Sequence, residues 1–451
     1  MRAYSTFASI CLAGALLALG AAPTIADEQF APTRIVQLPD AQTLSAFDIS
    51  FVEKGSHTYA LAASRVTGSG GNVGAVIIVN TGLNLITKEL QANPPFAGAC
   101  SFPGRNTISG PNGVIVIEKE RNTDVWAADG PVLKSSSIAK LCVPVNPPNP
   151  TAADIAQPSS VKVLDLKTGA TKKVISTGGI GRADELCYNP ISDVVLVAND
   201  ETFDNFITFI GEDSYQVLGK IQFNGKDPNG ANILANGIEQ CQFNPRDGKF
   251  YLSMPDIGGG KNGVGGSTGH DGAVLRISGH APFKVEAVFP IAASTGCLGP
   301  QGLTIGPDHQ IGLGCGGTNS LIIDDRNGST IAVVAGQGGT DELWYNSGNN
   351  HYFFARSGAA TTGGFLGVED AGPPPSTDPT AASGFGSHSV AADAIRNQVY
   401  VPIRGNTGVT GSNNKICSSA KDVFGNKGSD ALGCIAVYTA PRDKDDRRAE
   451  R

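Results

Sequence analysis

Charge is scarce in this chain, and long basic runs are absent. Of 451 residues only 17% are Asp, Glu, Lys or Arg, the formal charge is −7, and Lys and Arg gather only in a short mixed tail. Recognition of nucleic acid needs a dense basic surface, so nucleic acid is not expected as a partner. So little charge beside 58 Gly excludes a coiled coil and a disordered chain, and an apolar share of 40% can bury one large core or two ordinary ones. Apolar runs are short: beyond the N-terminus none reaches the roughly 18 residues of a spanning helix, so no membrane insertion is expected. No C-x-x-C occurs, which argues against a thiolate metal site and against c-type haem. Only two Trp are present to stack on a planar cofactor, so redox chemistry through haem or a quinone ranks last. No period of 3.6 residues stands out after the first 26 residues, and no long helix is expected there.

Glycine, by contrast, is abundant: 58 Gly, roughly twice the usual share, accompany 27 Pro. The N-terminus has Arg2, an apolar run from about Phe7 to Ala22, and small residues at Thr24 and Ala26 before Asp27. Those are the parts of a cleavable secretory signal over residues 1–26, and they predict a periplasmic or secreted protein. Cys11 falls within that signal. The remaining cysteines are Cys100, Cys142, Cys187, Cys241, Cys297, Cys315, Cys417 and Cys434, an even set that reads as disulfides in an oxidising compartment. Many pairings are open; Cys297–Cys315 and Cys417–Cys434 are attractive because each brackets one hairpin-sized loop.

One pattern recurs along the chain: a polar residue, apolar or aromatic residues, a turn rich in Asn, Pro, Asp and Gly, then a second apolar run. It is clearest as Asp-Glu-Leu-Cys-Tyr-Asn-Pro from Asp184 and Glu-Gln-Cys-Gln-Phe-Asn-Pro from Glu239. Further copies start at Gln301, Asp341 and His388, and weaker ones at Phe47 and Asn112, making seven. A third apolar run follows each pair, as at Gly74, Ser160, Gly272, Ser320 and Cys434, and a fourth usually follows, as at Ala170, Gln216 and Lys284. Four short strands per unit are the sequence form of a propeller blade. The fold class is therefore all-β, a seven-bladed β-propeller over residues 27–440 with a charged tail at 441–451. The last unit stops after three strands, and Thr33-Arg-Ile-Val-Gln-Leu near the N-terminus supplies the missing fourth. Closure by that strand is predicted, since it removes an exposed sheet edge. Pro/Gly-rich stretches at 130–158, 257–271 and 368–384 read as loop insertions.

With this periodicity the chain resembles the YVTN/NHL-type family of secreted bacterial propellers, which are YncE-like, over roughly residues 30–440. More distantly it is similar to the gluconolactonase and senescence-marker propellers. That second resemblance implies an axial metal held by carboxylate and amide ligands, although those proteins have six blades.

The residue opening each unit should face one mouth of the central channel. Aligned on the apolar position, these are Phe47, Asn112, Asp184, Glu239, Gln301, Asp341 and His388. The ends of the second strands give another ring: Arg65, Asp129, Asp200, Asp256, Gly316, Arg356 and Arg404. Asn112, Asp184, Glu239, Gln301, Asp341 and His388 offer oxygen ligands and one imidazole for a divalent metal such as Ca, Mg, Mn or Zn. Arg65, Arg356 and Arg404 offer forked donors to an anionic group of a substrate. With a metal in place, Asp184, Glu239 and His388 would be the catalytic groups of a hydrolase or lactonase, His388 moving the proton. The same polar residues also suit a water-filled tunnel and blade-to-blade hydrogen bonds. Glu185 and Glu342 should turn away from the channel, because side chains alternate along a strand.

Gly265-Gly-Ser-Thr-Gly matches a nucleophile elbow and Gly260-Lys261 part of a phosphate-binding loop, but both lie in one Gly-rich run and read as loop. No nucleotide cofactor is expected. His57, His270, His280, His309 and His351 lack metal-ligand spacing and read as surface residues. The sequence thus predicts a monomeric extracytoplasmic propeller binding a small anionic or polar molecule in its funnel. Whether it is an enzyme stays open, and the alternative is a non-catalytic module with a protein partner.

Overall fold

The computed structural model describes residues 32–68, 71–98, 109–119, 122–141, 150–200, 204–257, 272–357, 363–384, 386–405 and 415–439. Among the described residues the strands form eight antiparallel sheets: seven are the blades of a seven-bladed β-propeller, and the eighth is a two-stranded ribbon in an insertion. The innermost strands of blades 1 to 7 are Ser50–Glu53, Val114–Glu118, Arg182–Asn189, Cys241–Asn244, Pro300–Ile305, Thr340–Asn346 and Ala391–Asp393. Blade 7 is completed by Pro32–Val36, which pairs antiparallel with Gly433–Thr439 through Arg34↔Val437 and Ile35↔Ala436. The ring is closed by the N-terminal strand, as expected.

Period-two alternation explains the packing. In the strand Thr58–Gly68 of blade 1, Tyr59, Leu61 and Ala63 pack with Ala391, Tyr400 and Ile435 of blade 7, whereas Ala60 and Ala62 pack with Val114, Val116 and Val125 of blade 2. Both faces are buried, so these strands read as continuous apolar runs rather than alternating ones. The Asn that ends the repeat motif has two tasks. Asn189, Asn244 and Asn346 each accept a turn hydrogen bond, from Ile191, Arg246 and Gly348 N. Each also donates through Nδ2 to the following blade, to Gly279 O, Asp325 Oδ2 and Asn397 Oδ1. One side chain thereby closes the turn and hooks adjacent sheets together.

Among the described residues three disulfides join Cys187–Cys241, Cys297–Cys315 and Cys417–Cys434. The last two are the expected hairpin-sized pairs; the first ties the inner strands of blades 3 and 4 across 54 residues. Such bonds favour an extracellular or otherwise oxidising compartment. Among the described residues no helix is long and apolar enough to cross a membrane.

Three local expectations need correction. The stretch 368–384 is not a loop: Ser376–Ser383 forms the fourth strand of blade 6, paired with Gly364–Asp370. Its prolines are tolerated because it is an outer edge strand. Within 130–158, Val132–Leu133 pairs with Ile155–Gln157 and a short helix spans Ser135–Leu141. Asp154 ties this insertion together by accepting from Ser137 Oγ at 3.0 Å and from Thr151 N at 3.0 Å. His351 is buried rather than superficial, with Nε2 2.8 Å from Asp378 Oδ2 inside blade 6. The signal segment, the C-terminal tail, Cys100, Cys142, His270 and the Gly265–Gly269 motif lie outside the described residues.

Candidate functional site

The residues at the channel mouth owe their placement to β-bulges. In blade 3 the register passes from Ala183↔Asn199 to Leu186↔Val197, so Asp184 and Glu185 together face a single partner residue. Gln301 and Gly302 in blade 5 and Asp341 and Glu342 in blade 6 do the same. A bulge re-aims the side chains that it contains. Backbone groups there also turn to the next blade: Ile49 N donates to Asn112 O, Gln240 N to Gln301 O and Glu342 N to His388 O. The ring residues are thus part of the seam between blades.

Around the axis stand the carboxyl groups of Asp48, Asp184, Asp200, Glu239 and Asp341, with Arg182 and His388 as the cations that face them. Arg182 Nε is 2.7 Å from Asp184 Oδ2 and 3.5 Å from Asp200 Oδ2, and its NH1 is 3.6 Å from Asp48 Oδ2. Burial pushes the Asp184 and Glu239 carboxyls well above their usual range; Arg182 opposes this, and the neighbouring carboxylates add to it. Asp200 and Asp341 are raised for the same leading reason. Asp48 alone is lowered: burial works against it, but His388 and Arg182 outweigh burial. His388 is raised, because Asp48, Asp341 and the Gly386 carbonyl overcome the effect of burial. Its Nδ1 lies 2.9 Å from Gly386 O and therefore carries the hydrogen, which leaves Nε2, 3.6 Å from Asp48 Oδ1, as the exchangeable position. Asp184 Oδ1 is buried with no hydrogen-bond partner among the described residues.

Two ring members escaped the sequence alignment. In blade 1 the polar residue is Asp48, and Phe47 beside it is buried and stacks on His388 at 4.8 Å between centroids. Arg182 lies two residues before Asp184 on the same strand, a period-two spacing that signals a shared face. Asn112 is placed at the mouth, but its amide is spent between blades 2 and 3: Nδ2 donates to Ser109 O and Ala183 O, and Oδ1 accepts from Ser109 Oγ. Gln301 is half-buried, its carbonyl accepting from Gln240 N. Asp129 forms a buried pair with Lys162 at 2.7 Å.

Arg356 and Arg404 end the second strands of blades 6 and 7, whereas Arg65 lies inside the second strand of blade 1, Thr58–Gly68, which runs on for three residues. Arg65 and Arg404 are close enough that burial, followed by the charge of Arg65, lowers Arg404. Arg404 Nε donates to Ser45 O, and Arg356 Nε donates to Gly338 O. Among the described residues no three His, Cys, Asp or Glu side chains already converge as a metal site.

Strand alternation misplaces Glu185 but not Glu342. Glu342 Oε2 accepts from Ser389 Oγ of blade 7 at 2.8 Å, as expected of a residue turned to its neighbour. Glu185, although it occupies the same bulge position, instead lines a channel cavity.

No known protein-family model matches this chain, and no curated protein matches it. Among solved structures, a chain of the "Crystal Structure of Mitotic Checkpoint Complex" aligns with a TM-score of 0.55 at 10% identity. The match covers 97% of this chain and 100% of that one. That likeness shows the fold. At this identity it carries no statement about activity.

Proposed function

We propose that this is an extracytoplasmic propeller of the YVTN/NHL type that binds a small polar or anionic molecule at the acidic mouth of its channel. A divalent cation held by Asp184, Glu239 and Asp341, with Gln301 beside them, belongs to this reading. The observation that carries it is the imbalance of the ring, in which five carboxyl groups, Asp184 buried and the other four half-buried, face one guanidinium and one imidazole. Carboxyl groups crowded together and partly withdrawn from water ionise together only with a counter-charge. The donor set fits a hard cation, since it is made of carboxylate oxygens and includes the unpartnered Asp184 Oδ1. Asn112 is left out because its amide is committed between blades.

Such a cation, when bound, polarises a carbonyl or acidifies a water, which is the chemistry of ester or lactone hydrolysis. The chain's own groups supply the rest. His388, fixed through Nδ1, holds a proton at Nε2 where it faces the ring, and Asp48 orients it. Arg65, Arg356 and Arg404 stand at the same mouth on the side of blades 6, 7 and 1, where an anionic group of the ligand would be met.

The test is elemental analysis of the mature protein purified without chelators, followed by calorimetric titration of Ca, Mg, Mn and Zn. Near-stoichiometric metal that is lost in the Asp184→Asn/Glu239→Gln double variant is expected, and an ester and lactone screen then follows. Metal-free protein that binds none of these ions, or a double variant that binds them as the parent does, overturns the assignment. The similarity to a chain from a multi-protein complex favours a second reading, a protein-interaction module. It predicts no metal and a partner on the outer faces.

A further inference from the structure

Past the acidic ring, toward the C-terminal ends of the inner strands, the channel widens into a cavity of about 790 Å³. Its character differs from that of the ring. Phe51, Tyr188, Phe243 and Trp344 contribute aromatic wall. Phe51 and Trp344 meet edge to face at 5.6 Å, bridging blades 1 and 6. They can do so because the intervening inner strand of blade 7 is only Ala391–Asp393, and its two alanines leave room for the rings. At the end nearest the ring lies Glu185, which is 4% exposed and accepts no hydrogen bond among the described residues. Of the charged groups at the rim, Glu53 accepts from Ser56 and Lys119 pairs with Glu212 and Asp213, while Lys54 and Glu118 also line the cavity.

A pocket of this size that joins apolar walls to one buried, unpartnered carboxyl group selects its ligand chemically. A bare divalent ion needs six or more oxygens, which aromatic walls do not supply. At its inner end an anion finds no counter-charge, only the Glu185 carboxyl with Glu342 behind it. An ammonium group gains a charge-assisted hydrogen bond and a favourable position over the ring faces.

We propose that this cavity is a second binding site, taking a small organic cation of the aryl- or alkylammonium class, with its nitrogen at Glu185 and its apolar body against Phe51 and Trp344. The site is separate from the acidic mouth and does not depend on a metal there.

Trp344 makes it measurable. The only other tryptophan, Trp126, is fully buried between blades 2 and 3, so a fluorescence change on binding reports Trp344. The full protein is titrated with phenethylammonium chloride in excess EDTA, which keeps the result independent of any cation in the ring. A saturable change is expected, with Glu185→Gln weakening the apparent affinity about tenfold or more. Phe51→Leu, which removes one aromatic wall, weakens it as well, and phenylpropanoate gives no saturable change. Trp344→Phe abolishes the optical signal while calorimetry still records heat of binding. The absence of a saturable change in the parent protein overturns the proposal. So does an equal response to the two probes, or undiminished affinity in both Glu185→Gln and Phe51→Leu.

Discussion

Arg182 Nε lies 2.7 Å from Asp184 Oδ2, two residues further along the same inner strand. The same guanidinium also faces Asp48 from blade 1 and Asp200 on the partner strand, so one cation holds together acids from separate blades. Replacing it by Met leaves those carboxyl groups uncompensated. Breaking a buried pair in this way costs about 3–5 kcal/mol. Urea unfolding of Arg182→Met in EDTA should show a loss of that order at pH 8 and a smaller one at pH 5, where the carboxyls take up protons. An unchanged midpoint at both values would remove Arg182 from its role as organiser.

Glu239 gives stability a particular pH dependence. Burial, and then the charges of Asp200, Asp184 and Asp341, push its carboxyl well above the ordinary value of 4.5, against the pull of Arg182. The folded state therefore holds this proton more tightly than the unfolded one. Its contribution is fully present below pH 4.5 and is lost as pH rises through the folded value. Glu239→Gln, which stays neutral, should match the parent in thermal melts at pH 4 and exceed it at pH 8 in EDTA. A parent that is as stable as the variant at pH 8 contradicts the sign.

Asp325 should behave in the opposite way. It latches blade 4 to blade 5, taking Asn244 Nδ2 at 2.9 Å, Arg246 NH2 at 2.9 Å and His309 Nδ1 at 2.8 Å. Burial opposes its ionisation, yet Arg246, His309 and Asn244 together hold the carboxyl below its ordinary 3.8. Its stabilisation is present above that value and is lost as pH falls through the folded one. Asp325→Ala is expected to cost about 2–3 kcal/mol at pH 7, and the difference from the parent should shrink in unfolding curves taken near pH 3.

The Cys187–Cys241 bond closes a 54-residue loop between the inner strands that carry Asp184 and Glu239. On the chain-entropy account a loop of that length is worth about 4 kcal/mol. The Cys187→Ser/Cys241→Ser variant should lose stability of that order in urea and bind metal more weakly at the mouth. Metal affinity that is untouched while stability falls would uncouple the staple from the site.

The blades were legible because their signals are local. The Asp184–Asn189 and Glu239–Asn244 motifs display the turn Asn directly, and the continuous apolar runs that follow mark strands buried on both faces. The hairpin-sized disulfides were legible for the same reason. Cys187–Cys241 was not, because it spans two repeats. The fourth strand at Ser376–Ser383 was obscured by prolines that an edge strand tolerates.

The site was legible in part. Asp184, Glu239, Asp341 and His388 were placed at the mouth by repeat position alone, as one residue per blade. Asp48, the commitment of Asn112 to a seam and the exposure of Glu185 to the cavity sit at one-residue bulges, which shift where a side chain aims without changing composition, and Arg182 stands just before one. Hydrophobic period, turn chemistry and repeat number belong to the chain itself and determined a seven-bladed ring. Which acids share a cation, and which carboxyl group is left facing an aromatic cavity, was decided only when closure brought residues as distant as Asp48, Arg182 and His388 to one axis. Electrostatic coupling acts through distance in space, and the order of residues along the chain does not record that distance.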